Sequence, residues 1–188
     1  MNLKLSNNNL SGVIPNNLGN SRLQGVDLSS NDLIGEIPTS LGRLTSLIGL
    51  FLDGNRFSGN IPAALGKLSN LESLNLGKNH LTGAIPGEIG GCSRLLILNL
   101  TGNNLTEVFP VELTSLVALQ VLDLSNNGLI GGLPRQFGGL KMLENLNISH
   151  NNLTGSIPST FVDLLSSRYP SLSTGSLRII RKQQRVMR

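Results

Sequence analysis

The chain has 188 residues, of which 39% are hydrophobic and only 3% aromatic, and its formal net charge is +4. Because tryptophan is absent, a core must be built mainly from leucine and isoleucine. A single cysteine excludes an intrachain disulfide. No apolar run reaches the roughly 18 residues of a membrane-spanning helix, and the N-terminal residues contain no apolar segment typical of a signal peptide.

The positive charge is concentrated near the C-terminal end. From residue 168 onward there are six basic residues and no acidic one: Arg168, Arg178, Arg181, Lys182, Arg185 and Arg188. The other nine basic and eleven acidic residues give residues 1–167 a net charge of −2. We predict that residues 166–188 form a basic, disordered tail. A basic helix face that contacts acidic lipids or nucleic acid is the weaker alternative, since no aromatic residues are interleaved, and no nucleic-acid partner is expected.

Two residue columns recur at an interval of 24 residues, except for a first interval of 23. The asparagine column consists of Asn8, Asn31, Asn55, Asn79, Asn103, Asn127 and Asn151. The proline column consists of Pro15, Pro38, Pro62, Pro86, Pro110, Pro134 and Pro158. These columns predict about seven repeats, near residues 1–20, 21–44, 45–68, 69–92, 93–116, 117–140 and 141–164. Such a period is typical of a solenoid, in which each unit contacts only its neighbours, so residues 1–165 are assigned to one solenoid.

Each repeat begins with a segment that alternates apolar and polar residues, such as Leu74-Asn75-Leu76. This alternation predicts a short strand with one buried face, and equivalent strands are expected to form a parallel sheet on the concave face. The proline that follows suits the first turn of a helix. The segment after it, as in residues 63–68, allows only one or two turns. We therefore predict an α/β solenoid with short 3-10 or α-helical turns on its convex face.

The asparagine column is predicted to be buried and structural. The chain turns inward after each strand, and a carboxamide can pair with backbone groups that leave the sheet. We expect each asparagine to satisfy the turn of its own repeat and of the next one. A column of glycines follows, where positive φ or little space is expected: Gly12, Gly35, Gly59, Gly83, Gly131 and Gly155. Glu107 breaks this column, so an irregularity is expected there.

The outward strand positions are those that the repeat leaves free for binding: Lys4, Asp27, Phe51, Asn75, Asn99, Asp123 and Asn147. Phe51 is the sharpest candidate, because aromatic residues are enriched among binding anchors. Its rim is expected to consist of Asp53, Glu72, Lys78 and Gln120. The residues predicted to bind a ligand are Phe51, Asp53, Glu72, Asn75, Lys78, Asn99, Gln120 and Asp123. The alternative is that these side chains only solvate the sheet.

Five N-x-Ser/Thr sequons are candidate N-glycosylation sites: Asn9, Asn99, Asn104, Asn147 and Asn152. Asn9, Asn104 and Asn152 directly follow the asparagine column, at an edge of the solenoid where a glycan fits. Asn99 and Asn147 lie on the predicted concave face, where a glycan would block a ligand. The alternative is that a chain rich in asparagine, serine and threonine contains these sequons by chance.

The sequence contains no constellation typical of catalysis or metal binding. His80 and His150 fall at solvent positions of different repeats, without a partner at metal-ligand spacing. Cys92 takes the place of a leucine, which favours a small buried hydrophobe. Three aspartates are not expected to form a carboxylate pair: Asp27, Asp53 and Asp123. We therefore expect no metal, no cofactor and no catalytic residue.

The repeats resemble the plant-type leucine-rich repeat, LxxLxxLxLxxNxLxGxIPxxLxxL, over about residues 1–165. Its most specific part is the Gly-x-Ile-Pro element. Residues 146–161, LNISHNNLTGSIPSTF, are similar to membrane-proximal ectodomain repeats of plant receptor-like kinases. The resemblance implies a right-handed superhelix on the extracellular face of the plasma membrane. It also implies a noncatalytic role in signal perception, with a peptide or protein ligand and a co-receptor as partners.

The sequence departs from that family in several features. It lacks paired-cysteine caps, a signal peptide, a membrane span and kinase motifs, so we expect a truncated product that reaches a membrane only through segments outside it. Three alternatives stay open on the sequence. The chain is a fragment of a receptor-like serine/threonine kinase, a soluble inhibitor of cell-wall-degrading enzymes, or a truncated product without function.

Overall fold

The structure is a computed structural model that describes residues 1–161 and residue 164. The concave face is one parallel sheet of seven strands, one from each repeat, in the order of the chain. These strands are β1 (Asn2–Lys4), β3 (Gly25–Asp27), β5 (Gly49–Phe51), β7 (Ser73–Asn75), β9 (Ile97–Asn99), β11 (Val121–Asp123) and β13 (Asn145–Asn147). The parallel sheet is as predicted. The predicted basic tail, residues 166–188, lies outside the described residues.

Neighbouring strands pair equivalent positions of successive repeats. Leu50 of β5 pairs with Val26 of β3 and with Leu74 of β7. The middle residue of each strand lies in the core, and Leu50 and Leu74 are at most 1% exposed. Burial of each such side chain stabilises the fold by about 1.5–3 kcal/mol. The register therefore leaves the first and third residue of every strand on the concave surface.

A second parallel sheet follows the asparagine turn, and the sequence pattern does not predict it. Its five strands are β2 (Ser11–Gly12), β4 (Asp32–Glu36), β6 (Arg56–Asn60), β8 (His80–Gly83) and β10 (Asn104–Leu105). A separate pair consists of β12 (Ile130–Gly131) and β14 (Asn152–Leu153). The glycine column runs along this side of the solenoid with positive φ at all six predicted positions, for example +74° at Gly59. A side chain at these positions is strained, which explains the glycine preference.

The expected irregularity at Glu107 is present. Glu107 has a φ of +67°, the left-handed conformation that glycine adopts elsewhere in this column. The five-stranded sheet ends at β10, and among the described residues a single bridge, between Val108 and Ile130, joins the unit of β10 to the following unit on this side. A side chain with this φ costs about 1 kcal/mol relative to glycine. Glu107 is thus a strained residue at the place where the second sheet is interrupted.

Replacing Glu107 by glycine is expected to raise the free energy of unfolding by about 1 kcal/mol, because glycine adopts positive φ without steric cost. Urea denaturation followed by circular dichroism measures this change. The matched control is Gly131→Ala, which creates the same strain one repeat later (φ +76°) and is expected to lower the stability. Two changes of the same sign would contradict the assignment of strain to this column.

Six short helices form the convex face, and each begins directly after a column proline. They are all 3-10 helices of five residues: η1 (Asn16–Asn20), η2 (Thr39–Arg43), η3 (Ala63–Lys67), η4 (Gly87–Gly91), η5 (Val111–Ser115) and η6 (Arg135–Gly139). The first repeat interval has 23 residues instead of 24, and the missing residue lies on this side, between η1 and β3. Residues Asn2 of β1 and Gly25 of β3, which are 23 positions apart, still pair in register.

A second glycine column allows the 3-10 helices to stack closely. It includes Gly19, Gly42, Gly66 and Gly90. A Cβ atom on Gly42 would overlap the carbonyl oxygen of Ala64, and one on Gly66 would overlap that of Glu88. The backbones of successive helices therefore approach each other at positions where no side chain fits. In η5 the equivalent position, 24 residues after Gly90, is Thr114, so the glycine column is interrupted there.

The core between these faces is a continuous stack of leucine and isoleucine side chains. Aromatic rings enter it only at Phe57 and near the end of the described chain, where Phe109, Phe137 and Phe161 form a stack with centroid distances of 4.6 and 5.4 Å.

Cys92 is fully buried, as predicted, and its thiol contacts the carbonyl oxygen of Leu65 at 3.3 Å. Burial raises the pKa of this thiol to about 11.

The asparagine column forms a hydrogen-bonded ladder through the middle of the solenoid. Asn79 is 5% exposed, and its Nδ2 donates to the carbonyl oxygens of Leu76 and Gly77 in its own repeat. It also donates to the carbonyl oxygen of Leu52, and its Oδ1 accepts from the N–H of Phe57. The last two bonds run to the preceding repeat. The expectation of bonds to the next repeat was wrong, because each carboxamide lies against the turn of the unit before it.

Burial differs along the ladder. Asn31, Asn55, Asn79 and Asn103 are buried, whereas Asn127 and Asn151 are half-buried. The expectation that all seven are buried is therefore wrong for Asn127 and Asn151, and most clearly for Asn8, which is exposed. Asn8 belongs to the first repeat, and its Nδ2 donates only to Leu5 and Ser6 of the same repeat. Burial of a ladder asparagine therefore requires a unit on its N-terminal side.

Candidate ligand-binding groove

A shallow groove lies on the concave sheet, where the first four repeats meet. Its volume is about 380 Å³. The groove is lined by Asn2, Leu3, Lys4, Gln24, Gly25, Val26, Asp27, Ile48, Gly49, Phe51, Glu72 and Ser73. These residues come from β1, β3, β5 and β7 and from the positions just before the strands. The groove therefore runs across the strands rather than along one of them.

The groove exists because two adjacent strands begin with glycine. Gly25 of β3 and Gly49 of β5 pair in register, so neither strand places a side chain at this point. The corresponding position carries a side chain in the next two strands, Ser73 of β7 and Ile97 of β9. The space above Gly49 is instead taken by the ring of Phe51, and the space above Gly25 by the side chain of Asn2, whose Oδ1 would be 2.9 Å from a Cβ atom there.

Phe51 forms one wall of this groove. Its side chain is half-buried, and its ring lies over Gly49, since a Cβ atom on that glycine would be 2.8 Å from Cε2 of the ring. Asp27 and Asn75 flank Phe51 in the two neighbouring strands. The ring can lie against the sheet because residue 49 has no side chain, and polar groups flank the ring on either side.

Asp27 stays ionised beside the ring. Its burial raises the pKa, but hydrogen bonds and the charge of Lys4 outweigh this effect and leave the pKa of Asp27 below its usual value. The bonds come from the hydroxyl and the backbone N–H of Ser29, which donate to Oδ1 at 2.7 and 3.1 Å. The groove therefore contains a fixed negative charge near Phe51.

Asp53 follows β5 by two residues, in the repeat after that of Asp27. Burial raises the pKa of Asp53, and the negative charge of Asp27 adds to this, whereas a backbone hydrogen bond and the charge of Lys78 lower it. The interaction of the two carboxylates is thus electrostatic repulsion. Asp123 is four repeats away from Asp27 and accepts from Ser125 and from Nδ2 of Asn147.

The groove gathers only some of the predicted ligand-binding residues. Phe51 and Glu72 line it, whereas the other six predicted residues do not: Asp53, Asn75, Lys78, Asn99, Gln120 and Asp123. Gln120 lies two repeats beyond Glu72 in the same column, a separation of about 10 Å at the spacing of strands in a sheet. The expected rim of Phe51 was therefore wrong for Gln120.

The sequence reasoning missed several lining residues. Gln24 and Ile48 precede strands β3 and β5 and occupy the same column as Glu72. The signal that could have located the groove is the consecutive pair of glycines, Gly25 and Gly49, at one position of two successive repeats. Such a pair predicts a gap in the row of side chains that otherwise covers the concave sheet.

The five sequons lie in two different environments. Asn9, Asn104 and Asn152 are exposed, and the last two belong to β10 and β14 on the side of the solenoid. Asn99 and Asn147 are half-buried on the concave sheet. Their Oδ1 atoms accept hydrogen bonds from the backbone two residues further on, within their own sequons. The exposed asparagines remain the better candidates for a glycan.

Other chemistry is sparse in the part of the chain that the structure describes. There, no group of three or more histidine, cysteine, aspartate or glutamate side chains could hold a metal ion. His80 and His150 are exposed on different repeats. Among residues 1–161 and 164, no helix is long and apolar enough to cross a membrane.

A stack of 24-residue units with a parallel concave sheet, 3-10 turns and an asparagine ladder defines a leucine-rich repeat solenoid. Two leucine-rich repeat family models match the chain, one over residues 50–105 and 69–129 and the other over residues 1–21, 22–44 and 142–164. These matches together span more than half of the sequence. The chain belongs to the leucine-rich repeat family. No curated protein matches it at a significant level.

Solved ectodomains of plant receptors are similar to this chain. A TDR receptor is 36% identical with a TM-score of 0.85, and the match covers 87% of this chain and 28% of that one. The leucine-rich repeat ectodomain of the receptor kinase GASSHO1/SCHENGEN3 from Arabidopsis thaliana, in complex with CASPARIAN STRIP INTEGRITY FACTOR 2, is 43% identical with a TM-score of 0.84 (85% and 19% covered). The Arabidopsis receptor kinase HAESA, in complex with the peptide hormone IDA and the co-receptor SERK1, is 39% identical with a TM-score of 0.84 (87% and 28%). The chain thus spans 19–28% of the length of these structures.

Proposed function

We propose that this chain is a noncatalytic peptide- or protein-binding module of a plant cell-surface receptor, and that the groove beside Phe51 is its contact site. The similarity to ectodomains solved with a peptide hormone and a co-receptor supports this class of function. The observation that carries the proposal is the groove itself, with a half-buried aromatic side chain over a backbone floor. Membrane association, the extracellular location, glycosylation and a role in signal transduction belong to the same proposal.

The dimensions of the groove suit one or two side chains of a ligand. Its volume of about 380 Å³ lies near the lower end of the 300–1,000 Å³ that is usual for binding sites. An aromatic side chain in a partly desolvated site is typical of a binding anchor. The groove is continuous with the concave sheet, so the rest of an extended peptide has polar surface to lie on. The same role holds if the chain is one part of a longer receptor kinase.

Replacing Phe51 by alanine is expected to weaken peptide binding about tenfold or more, because it removes the anchoring wall of the groove. Random linear peptides displayed on phage are selected on the immobilised chain, and the dissociation constants of the selected peptides are measured by calorimetry. Gly49→Ser, whose Cβ atom would be 2.8 Å from Cε2 of Phe51 and would displace the ring, is expected to weaken the same peptides to a similar extent. Unchanged thermal unfolding verifies that both variants are folded.

The matched control is Ile97→Ala. Ile97 is an exposed apolar residue (39%) on the same face of the sheet, two strands from Gly49 and outside the groove. Its replacement is expected to leave the dissociation constant within about twofold of the wild-type value, as for residues outside a hot spot. The proposal is overturned if no peptide is selected, or if Phe51→Ala and Ile97→Ala have equal effects.

A further inference from the structure

We propose that the groove beside Phe51 is a site for a cationic side chain, arginine in preference to lysine, of the bound peptide. The inference rests on the proposed function and specifies the class of ligand. It depends on two features that meet in one groove: an aromatic ring and two carboxylates from different repeats. Each feature is set by a residue that the repeat pattern does not require.

The two carboxylates stand on either side of the aromatic strand. Asp27 belongs to β3, before the strand of Phe51, and Glu72 immediately precedes β7, after it. Glu72 is half-buried, and its carboxylate forms no ion pair or hydrogen bond with the residues that the structure describes. Asp27 is held ionised by the bonds from Ser29. Glu72 therefore offers an unpaired negative charge at the edge of the groove, which a cation from a ligand can neutralise.

The aromatic ring favours arginine over lysine. A cation within about 6 Å of a ring is attracted to its face, and arginine makes such contacts more often than lysine. The planar guanidinium stacks on a ring while it donates in its own plane to carboxylates at the edges. Because the Phe51 ring covers Gly49 and the Asn2 side chain covers Gly25, the guanidinium plane is placed on the ring itself and not on bare backbone.

Lys4 limits the charge of the site. It is the only cationic residue among the lining residues. Lys4 belongs to β1, at the opposite end of the groove from Glu72. With Lys4, Asp27 and Glu72 ionised, the lining carries a net charge of −1. The site therefore matches one positive charge, and the Glu72 side is the end of the groove where that charge is placed.

The experiment uses the full chain labelled with ¹⁵N and two small ligands, N-acetyl-arginine amide and its neutral isostere N-acetyl-citrulline amide. The arginine derivative is expected to shift the amide signals of Gly25, Gly49 and Phe51 in a saturable manner, with an affinity about tenfold higher than that of the citrulline derivative. The lysine derivative is expected to bind between these two. Equal affinities for the arginine and citrulline derivatives, or no saturable shift, overturn the inference.

A matched pair of variants assigns the effect to the groove. Asp27→Asn and Glu72→Gln are each expected to weaken arginine binding about five- to tenfold, without changing citrulline binding. Asparagine occupies the position of Asp27 in β7, β9 and β13 and makes the same turn there, so Asp27→Asn retains the fold. Asp123→Asn is the control, because Asp123 has the same hydrogen bonds to Ser125 as Asp27 has to Ser29 but lies outside the groove.

The outcomes separate this inference from the proposed function. If selected peptides depend on Phe51 but contain no preferred basic residue, and arginine amide does not bind, the inference is wrong and the peptide-binding function stands. If Asp123→Asn weakens arginine binding as much as Asp27→Asn does, the effect is general electrostatics and the inference is wrong. If arginine amide binds at the groove but no peptide is selected, the cation site stands and the peptide-binding function is wrong.

Discussion

Replacing Asn79 by leucine is expected to lower the free energy of unfolding by about 3 kcal/mol. The change leaves the buried N–H of Phe57 without its acceptor, which costs about 1–3 kcal/mol for an unpaired buried donor. It also removes three hydrogen bonds to carbonyl oxygens. Two of these carbonyls keep a second partner, because Asn55 also donates to Leu52 and Asn103 also donates to Leu76. The N–H is therefore the larger part of the cost.

Urea unfolding followed by circular dichroism measures this effect, with Asn8→Leu as the matched control. Asn8 belongs to the same column but is exposed and bonds only within its own repeat. Its replacement is expected to change the stability by less than about 1 kcal/mol, as is usual for surface positions. An unchanged midpoint for Asn79→Leu, or equal losses for the two variants, would show that the ladder does not stabilise the solenoid.

Replacing Gly66 by alanine is expected to destabilise the chain by about 3 kcal/mol. The new methyl group would overlap the carbonyl oxygen of Glu88 in the next convex helix. Because that atom belongs to the backbone, the helices can accommodate the methyl group only by moving apart, and overpacking of this kind costs about 1–3 kcal/mol or more. The helix propensity of alanine, which favours it over glycine by up to about 1 kcal/mol, offsets only part of this cost.

Gly139→Ala is the control for this prediction, measured by the same unfolding curve. Gly139 also lies in a convex 3-10 helix, but a Cβ atom there would be 3.7 Å from its nearest neighbour, the carbonyl oxygen of Thr114. That distance is ordinary van der Waals contact, so this variant is expected to be neutral or slightly stabilised. A loss for Gly139→Ala as large as that for Gly66→Ala would refute the close approach of successive helices as the cause.

The repeat unit could be predicted because each of its marked residues solves a local problem. Leucine at alternate positions gives a half-buried strand, asparagine pairs the groups of the turn, and proline begins a helical turn. The second sheet could not be predicted in the same way. Its segments, such as Asp32–Glu36, contain a glycine with positive φ and lack regular alternation. Their pairing depends on the distance between successive repeats, which is a property of the stack.

Two of the predicted ligand-binding residues line the candidate groove, Phe51 and Glu72. Phe51 could be singled out because it breaks a column of polar residues when the repeats are compared. The groove depends instead on what Gly25 and Gly49 lack, and a missing side chain is significant only when the two positions are known to be neighbours. The repulsion between Asp27 and Asp53 likewise depends on how closely successive repeats are stacked.

The direction of the asparagine bonds has a consequence for how such a chain can change during evolution. Each ladder asparagine needs the turn of the unit before it and supplies nothing that depends on the total number of units. Whole repeats can therefore be duplicated or lost while every remaining asparagine finds an equivalent neighbour. Within a unit, single-residue deletions are tolerated on the convex side, as the 23-residue interval between Asn2 and Gly25 demonstrates. Between a strand and its asparagine the same deletion would break the ladder, so variation in length accumulates on the convex face while the concave face keeps its register.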